Sequence, residues 1–179
     1  SSGGSSETLW KKGTGEDSVV QAIADGTDLP TATGRRAVAI GSQTTASGNI
    51  SHAEGHGTKA LGSTSHAEGY GTTARDYGHA EGYYTETSGQ YGHAEGSFTK
   101  ASGEASHAEG SFTIATNLAE HAQGKYNHNS PNQIFSVGAG EMTPDYHVNR
   151  RNAISVLAVD NSGSCTSSFF VQNVGGYDG

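Results

Sequence analysis

Large hydrophobic side chains are sparse in this chain, and the pattern they leave has a period of fourteen, not the 3.6 of a helix. The segment Val38-Ala39-Ile40-Gly41 alternates apolar side chains around a small one, and His52-Ala53-Glu54-Gly55 repeats that frame with polar residues at the outer positions. His-Ala-Glu-Gly occupies 52–55, 66–69, 79–82, 93–96 and 107–110, and His-Ala-Gln-Gly follows at 121–124. Successive histidines are 14, 13, 14, 14 and 14 residues apart, so with the copy at 38–41 the array has seven units. A regular period this short predicts a solenoid in which each unit forms one coil.

Aligned on the glycines at 41, 55, 69, 82, 96, 110 and 124, the units resolve into columns. Three residues on stand Thr44, Thr58, Thr72, Thr85, Thr99, Thr113 and Asn127. Two further come Ala46, Ala60, Ala74, Thr87, Ala101 and Ala115, and two beyond those Gly48, Gly62, Asp76, Gly89, Gly103 and Asn117. Gly, Asp and Asn best tolerate positive φ, so this last column predicts a left-handed corner. Fourteen residues with a turn at each end hold two strands of about four or five residues. The prediction is an all-β parallel solenoid, a β-roll. The short step is expected within Asp76-Tyr77-Gly78-His79, on the turn side. Side chains alternate along a strand, so alanine faces a thin interior while His and Glu share the opposite face. That face is apolar at Val38 and Ile40 and His with Glu or Gln elsewhere, which fits a subunit interface.

The flanks divide the chain. Residues 1–6, rich in Ser and Gly, read as a linker. Residues 7–34 read as irregular or short β structure anchored by Leu9-Trp10 and Val19-Val20-Gln21-Ala22-Ile23, residues 35–128 as the roll, and residues 129–179 as a β-structured cap. In the cap, strands are expected at Ile134–Val137, Ala153–Val159 and Phe169–Val174, with Asp160-Asn161-Ser162-Gly163 as a turn.

Composition sharpens this picture. Leu, Ile, Val and Phe total 25 of 179 residues and the net charge is -8, values that resemble disorder until the 27 glycines are seen to be periodic. Such a chain gains its core by associating with copies of itself. The acidity and the lack of a basic stripe exclude nucleic acid as the expected partner. Cys165 alone builds no intrachain disulfide and no multi-cysteine zinc site. No apolar run approaches the roughly 20 residues of a membrane span.

The columns at this point resemble a known family. Arg36-Ala37-Val38-Ala39-Ile40-Gly41 with Thr44, Ala46 and Gly48 is similar to the head repeat of trimeric autotransporter adhesins, and the Ser-His-Ala-Glu-Gly form resembles the version in phage and prophage tail fibres and appendages. The likeness spans about residues 34–127. Segment 132–140 with 150–156 is similar to a stretch that follows such repeats in tail fibres, and Gly175-Gly176-Tyr177-Asp178-Gly179 looks like one that precedes a coiled coil. The resemblance implies a left-handed parallel β-roll, a homotrimer packed side by side, and attachment to a bacterial surface receptor, with a place in the virion tail or at the cell surface. A bacterial adhesin head and a purely structural shaft are the alternatives.

The chemistry expected of the columns follows. His52, Glu54, His66, Glu68, His79, Glu81, His93, Glu95, His107, Glu109 and His121 form the expected trimer-interface ladder. Hydrogen bonding between neighbouring subunits is the favoured reading, with histidine pKa raised and glutamate pKa lowered by pairing. Histidines gathered around a metal are a weaker reading, because no His-x-His pair accompanies them. Near-identical repetition argues against catalysis, since an active site needs one distinctive environment. No metal or other cofactor is expected. Tyr84, Phe98, Phe112 and Tyr126 form a second column, with His56, Tyr70 and Tyr83 beside it; packing against a neighbouring subunit is the favoured reading and a ladder for sugar rings the alternative.

Overall fold

The computed structural model of the protein describes residues 9–21, 28–158 and 168–171. The chain winds as a parallel β-solenoid. Each coil contributes one five-residue strand, such as His52–His56, and one two-residue strand, such as Lys59–Ala60. The long strands stack in a sheet of 12 and the short ones in a sheet of 7. Pairing is parallel and in register, so like residues lie above like: His79 pairs with His93, Ala80 with Ala94, Glu81 with Glu95.

The stack runs one coil beyond the seven expected units at each end. Val19–Gln21 pairs in parallel with Val38–Ser42, so the short β structure expected in the N-terminal region joins the stack itself. Gln133–Ala139 pairs in parallel with His121–Lys125, setting Phe135 beside His121 and Val137 beside Gln123. Antiparallel strands close both ends of the long sheet. Trp10–Lys12 lies on Val19–Gln21, and Asn152–Leu157 lies on Gln133–Ala139 with Ser168–Val171 outside it. These strands cover edges that would otherwise offer unpaired N–H and C=O groups to another chain. The cap strands expected at Ile134, Ala153 and Phe169 are present; Val159, Gln172–Val174, the Asp160–Gly163 turn, Ala22-Ile23, Cys165, residues 1–6 and Gly175–Gly179 lie outside the described residues.

The interior is as thin as the alanines imply. Ala39, Ala53, Ala67, Ala80, Ala94, Ala108 and Ala122 from the long sheet are fully buried, as are Ala46, Ala60, Ala74, Ala101 and Ala115 from the short one. Thr44, Thr58, Thr72, Thr85, Thr99 and Thr113 are buried beside them. Ser51, Ser65 and Ser106 fill the remaining corner, each hydroxyl donating to a carbonyl three residues earlier at 2.7 Å. Where glycine replaces that serine, at Gly78 and Gly92, the facing alanine is replaced by Thr87. A Cβ on Gly78 would lie 2.3 Å from the Thr87 hydroxyl oxygen, so the two substitutions are complementary.

The glycine corner differs from its expectation. Positive φ falls on Ile50, Thr64, Tyr77, Tyr91, Ala105 and Ala119, and not on Gly48, Gly62, Asp76, Gly89, Gly103 or Asn117. Those glycines are required by close approach: a Cβ on Gly48 would lie 1.7 Å from the Gly62 carbonyl oxygen. Asp76 does not belong to their column. Tyr77 N–H donates to the Ser63 carbonyl and Tyr91 N–H to that of Asp76, so Asp76 stacks with Ser63 and Gln90. The missing residue of the short coil therefore falls between Ala74 and Asp76. Asn117 bears a Cβ because it adjoins the last, irregular coil, where its Nδ2 donates to Ser130 O at 3.0 Å.

Candidate functional site

Parallel register turns each sequence column into a ladder on the surface. Along the long sheet, histidine rings from 52 to 121 follow one another with centroids 4.9, 4.8, 5.0, 4.6 and 4.5 Å apart. All but the last histidine turn Nε2 toward the carboxylate two residues on: His52–Glu54 is 3.7 Å, His66–Glu68 3.6 Å, His79–Glu81 3.7 Å and His93–Glu95 3.7 Å. Both side chains are half-exposed, and these separations exceed a hydrogen bond. The six Nε2 atoms, from His52 to His121, are themselves shielded from solvent without a hydrogen-bond partner. Within one chain, each ring from His52 to His107 therefore lies beside the carboxylate of its own coil without a hydrogen bond to it.

Electrostatics act along the ladder as well. The pKa of His66 is lowered from the usual 6.5, first by burial and then by His79 and His52, against the opposing pull of Glu68 and Glu54. His93 is lowered for the same reasons, with His107 and His79 as its neighbours. At these two positions burial, together with an imidazole one coil away on each side, outweighs the carboxylates. Within one chain these two histidines shift down, the direction opposite to that expected from pairing between subunits.

The ladder ends asymmetrically. Gln123 replaces glutamate in the last copy, so Glu109 serves two histidines, at 3.6 Å from His107 and 4.0 Å from His121. Donor atoms of these three residues lie within 4.8 Å of one another, the separation of a possible metal cluster. The rings of His107 and His121 are parallel, with centroids 4.5 Å apart. One ring would have to rotate before both nitrogens came within the roughly 2.0–2.1 Å of one zinc ion.

The aromatic column lies at the corner after each repeat glycine. Tyr84, Phe98, Phe112 and Tyr126 all hold positive φ, between 45° and 54°. Their rings stack at 5.4, 4.6 and 4.6 Å with interplanar angles below 15°. Exposure falls along the column, from 45% at Tyr84 and 42% at Phe98 to 9% at Tyr126. The cap covers the far end: Arg150 Nη1 donates to Phe112 O at 2.7 Å and reaches Asn127 O at 3.3 Å, with the guanidinium pKa lowered by burial. Beside this column His56, Tyr70 and Tyr83 stack at 4.8 and 5.4 Å. Tyr84 meets Tyr70 and Tyr83 edge-on at 5.5 and 4.7 Å.

A third ladder escapes the glycine alignment. Tyr77 and Tyr91, both exposed, stack at 5.2 Å on the opposite corner. Counted from the preceding glycine they fall in different columns, because the short step lies between. Counted back from His79 and His93 they coincide, two residues before each.

No protein-family model matches this sequence, and no curated protein matches it either. Fold and surface chemistry are therefore the grounds for a functional reading.

Proposed function

We propose that this chain is a segment of a homotrimeric fibre, a left-handed β-roll whose three copies pack along their long sheets and present a surface for attachment to a bacterial cell, as in a phage tail fibre. The observation that carries the reading is the character of the His/Glu face. In its columns stand Val38 and Ile40 at one end and Phe135 and Val137 at the other, aligned with His52, Glu54, His121 and Gln123 by register. A flat parallel face that is apolar at both ends, and between them holds imidazole nitrogens shielded from water without partners, is poorly served by solvent. Copies of the same face around an axis supply both apolar cover and polar partners. Attachment through three chains and several fibres is polyvalent, so weak single contacts add.

Light scattering tests the assembly. The expected particle is three times the chain mass of 18.4 kDa at neutral pH. A monomer over the whole concentration range would overturn the reading. Phe135→Glu and Val38→Glu, which place charge on the face, are expected to reduce the mass toward that of one chain. Binding of the labelled protein to bacteria then tests attachment. A trimer that binds no cells would favour a structural shaft, and an anchor domain downstream in the gene would favour a bacterial adhesin.

A further inference from the structure

The aromatic column at the corner after the repeat glycine is interrupted. Its members in chain order are Gln43, Gly57, Gly71, Tyr84, Phe98, Phe112 and Tyr126, all with positive φ. Phe98 and Phe112 therefore have a ring on each face, and Tyr126 has Phe112 on one face and the cap beyond. Tyr84 stacks on Phe98 at 14° and has no ring stacked on its other side, because the next two rungs are glycines. A Cβ on Gly57 would meet only the Gly71 Cα, at 4.0 Å, so the space over that rung is open. Above Gly71 the Tyr84 ring leans in, its Cδ1 and Cε1 within 2.8 and 2.7 Å of where a Cβ would stand. The result is a cleft of about 250 Å³. Tyr84 and Gln43, the rungs on either side of the two glycines, line it together with His56, Tyr70, Lys59 and Thr73.

We propose that this notch binds a pyranose ring of a surface saccharide. A sugar carries one flat C–H face and a rim of hydroxyls, and the notch offers both complements. The unstacked side of Tyr84, braced edge-on by Tyr70 and Tyr83, is an aromatic platform at the position of a missing rung. Around it stand an ammonium at Lys59, a hydroxyl at Thr73, an imidazole at His56 and the Gln43 amide. That amide donates through Nε2 to Asp28 at 2.8 Å, which fixes its orientation. A wholly apolar guest would strand these groups. The cleft is lined by residues of one chain; its target as a bacterial glycan rests on the attachment reading.

Saturation-transfer NMR with the methyl glycosides of glucose, galactose, mannose and N-acetylglucosamine tests this on the full chain. At least one glycoside is expected to receive magnetisation, strongest at the C–H protons of one ring face. Gly57→Phe refills the rung with a residue that Phe98 and Phe112 already carry at the same φ, so the fold is expected to persist while affinity falls about tenfold or more. Tyr84→Ala, which removes the platform, is expected to lose as much. No transfer to any of the four glycosides would overturn the proposal, as would binding undiminished in Gly57→Phe. Mass and cell attachment measured on the same samples keep the readings apart: a cell-binding trimer without glycoside signals sinks the notch alone, and a monomer with them sinks the fibre alone.

Discussion

Gly96 holds φ of 108°, and a Cβ built there would lie 2.2 Å from the Gly110 carbonyl oxygen. No side chain suits either condition, because that φ lies outside the left-handed well that Asn or Asp can occupy. Gly96→Ala is expected to cost at least ~1–3 kcal/mol, seen in denaturant titration. At the next corner positive φ is instead held by Tyr84, Phe98, Phe112 and Tyr126, whose values near 50° are inside that well. The backbone cost there is on the order of 1–2 kcal/mol per residue, and stacking offsets part of it. The histidines make a pH prediction at this same scale. His66 and His93 have folded pKa values below the unfolded 6.5, so the folded state binds fewer protons than the unfolded state between those two values. Their contribution is fully present above about pH 6.5 and is lost as pH falls toward the lowered values. A melting temperature that stays level from pH 8 to 7 and declines from 6.5 to 5 is expected. His66→Gln with His93→Gln should flatten that decline, and an unchanged slope would remove these two residues as its source.

At the scale of the coil, two alanine layers nearly touch, and the element is defined by how little room they leave. Ala94 is fully buried against the opposite layer. Ala94→Leu adds three heavy atoms to that space and is expected to cost ~1–3 kcal/mol or more, measured by thermal unfolding against Glu95→Gln as a surface control. The strands, their parallel register and the inward alanines were legible in the sequence because each depends on one column of like residues. Corner geometry was less legible. Gly48 and Gly55 look alike in a sequence, yet one avoids a clash at ordinary φ and the other also holds positive φ. The short coil misled for a related reason: Asp76 counted from Gly69 falls among the corner glycines, while the inter-coil hydrogen bonds put it with Ser63 and Gln90. The Tyr77–Tyr91 stack was hidden by the same slip. Of the candidate site, the ladders could be read from columns, but not the closeness of each carboxylate to the ring of its own coil nor the downward pKa shift of His66 and His93. Those depend on rotamers and ring spacing that a column does not specify.

For the molecule as a whole, each coil touches only the coils before and after it, apart from the end strands that close the sheet. Stability in such a stack is close to a sum of coil and interface terms, so a complete coil can be removed without disturbing the remainder. Deleting residues 95–108 joins Ala94 to Glu109 and restores His-Ala-Glu-Gly at the junction. Tyr84 then stacks on Phe112 in place of Phe98, and the alanine layers keep their alternation. The shortened protein is expected to retain its β circular dichroism and cooperative melting, with its long axis reduced by about 4.8 Å in small-angle scattering. Deleting Ala94 alone removes far less of the chain but is expected to do more harm. It shifts the strand by one residue, so that His93 or Glu95 turns into the alanine interior where no partner awaits. If the single deletion melts no lower than the fourteen-residue one, the coil is not the unit from which this molecule is built.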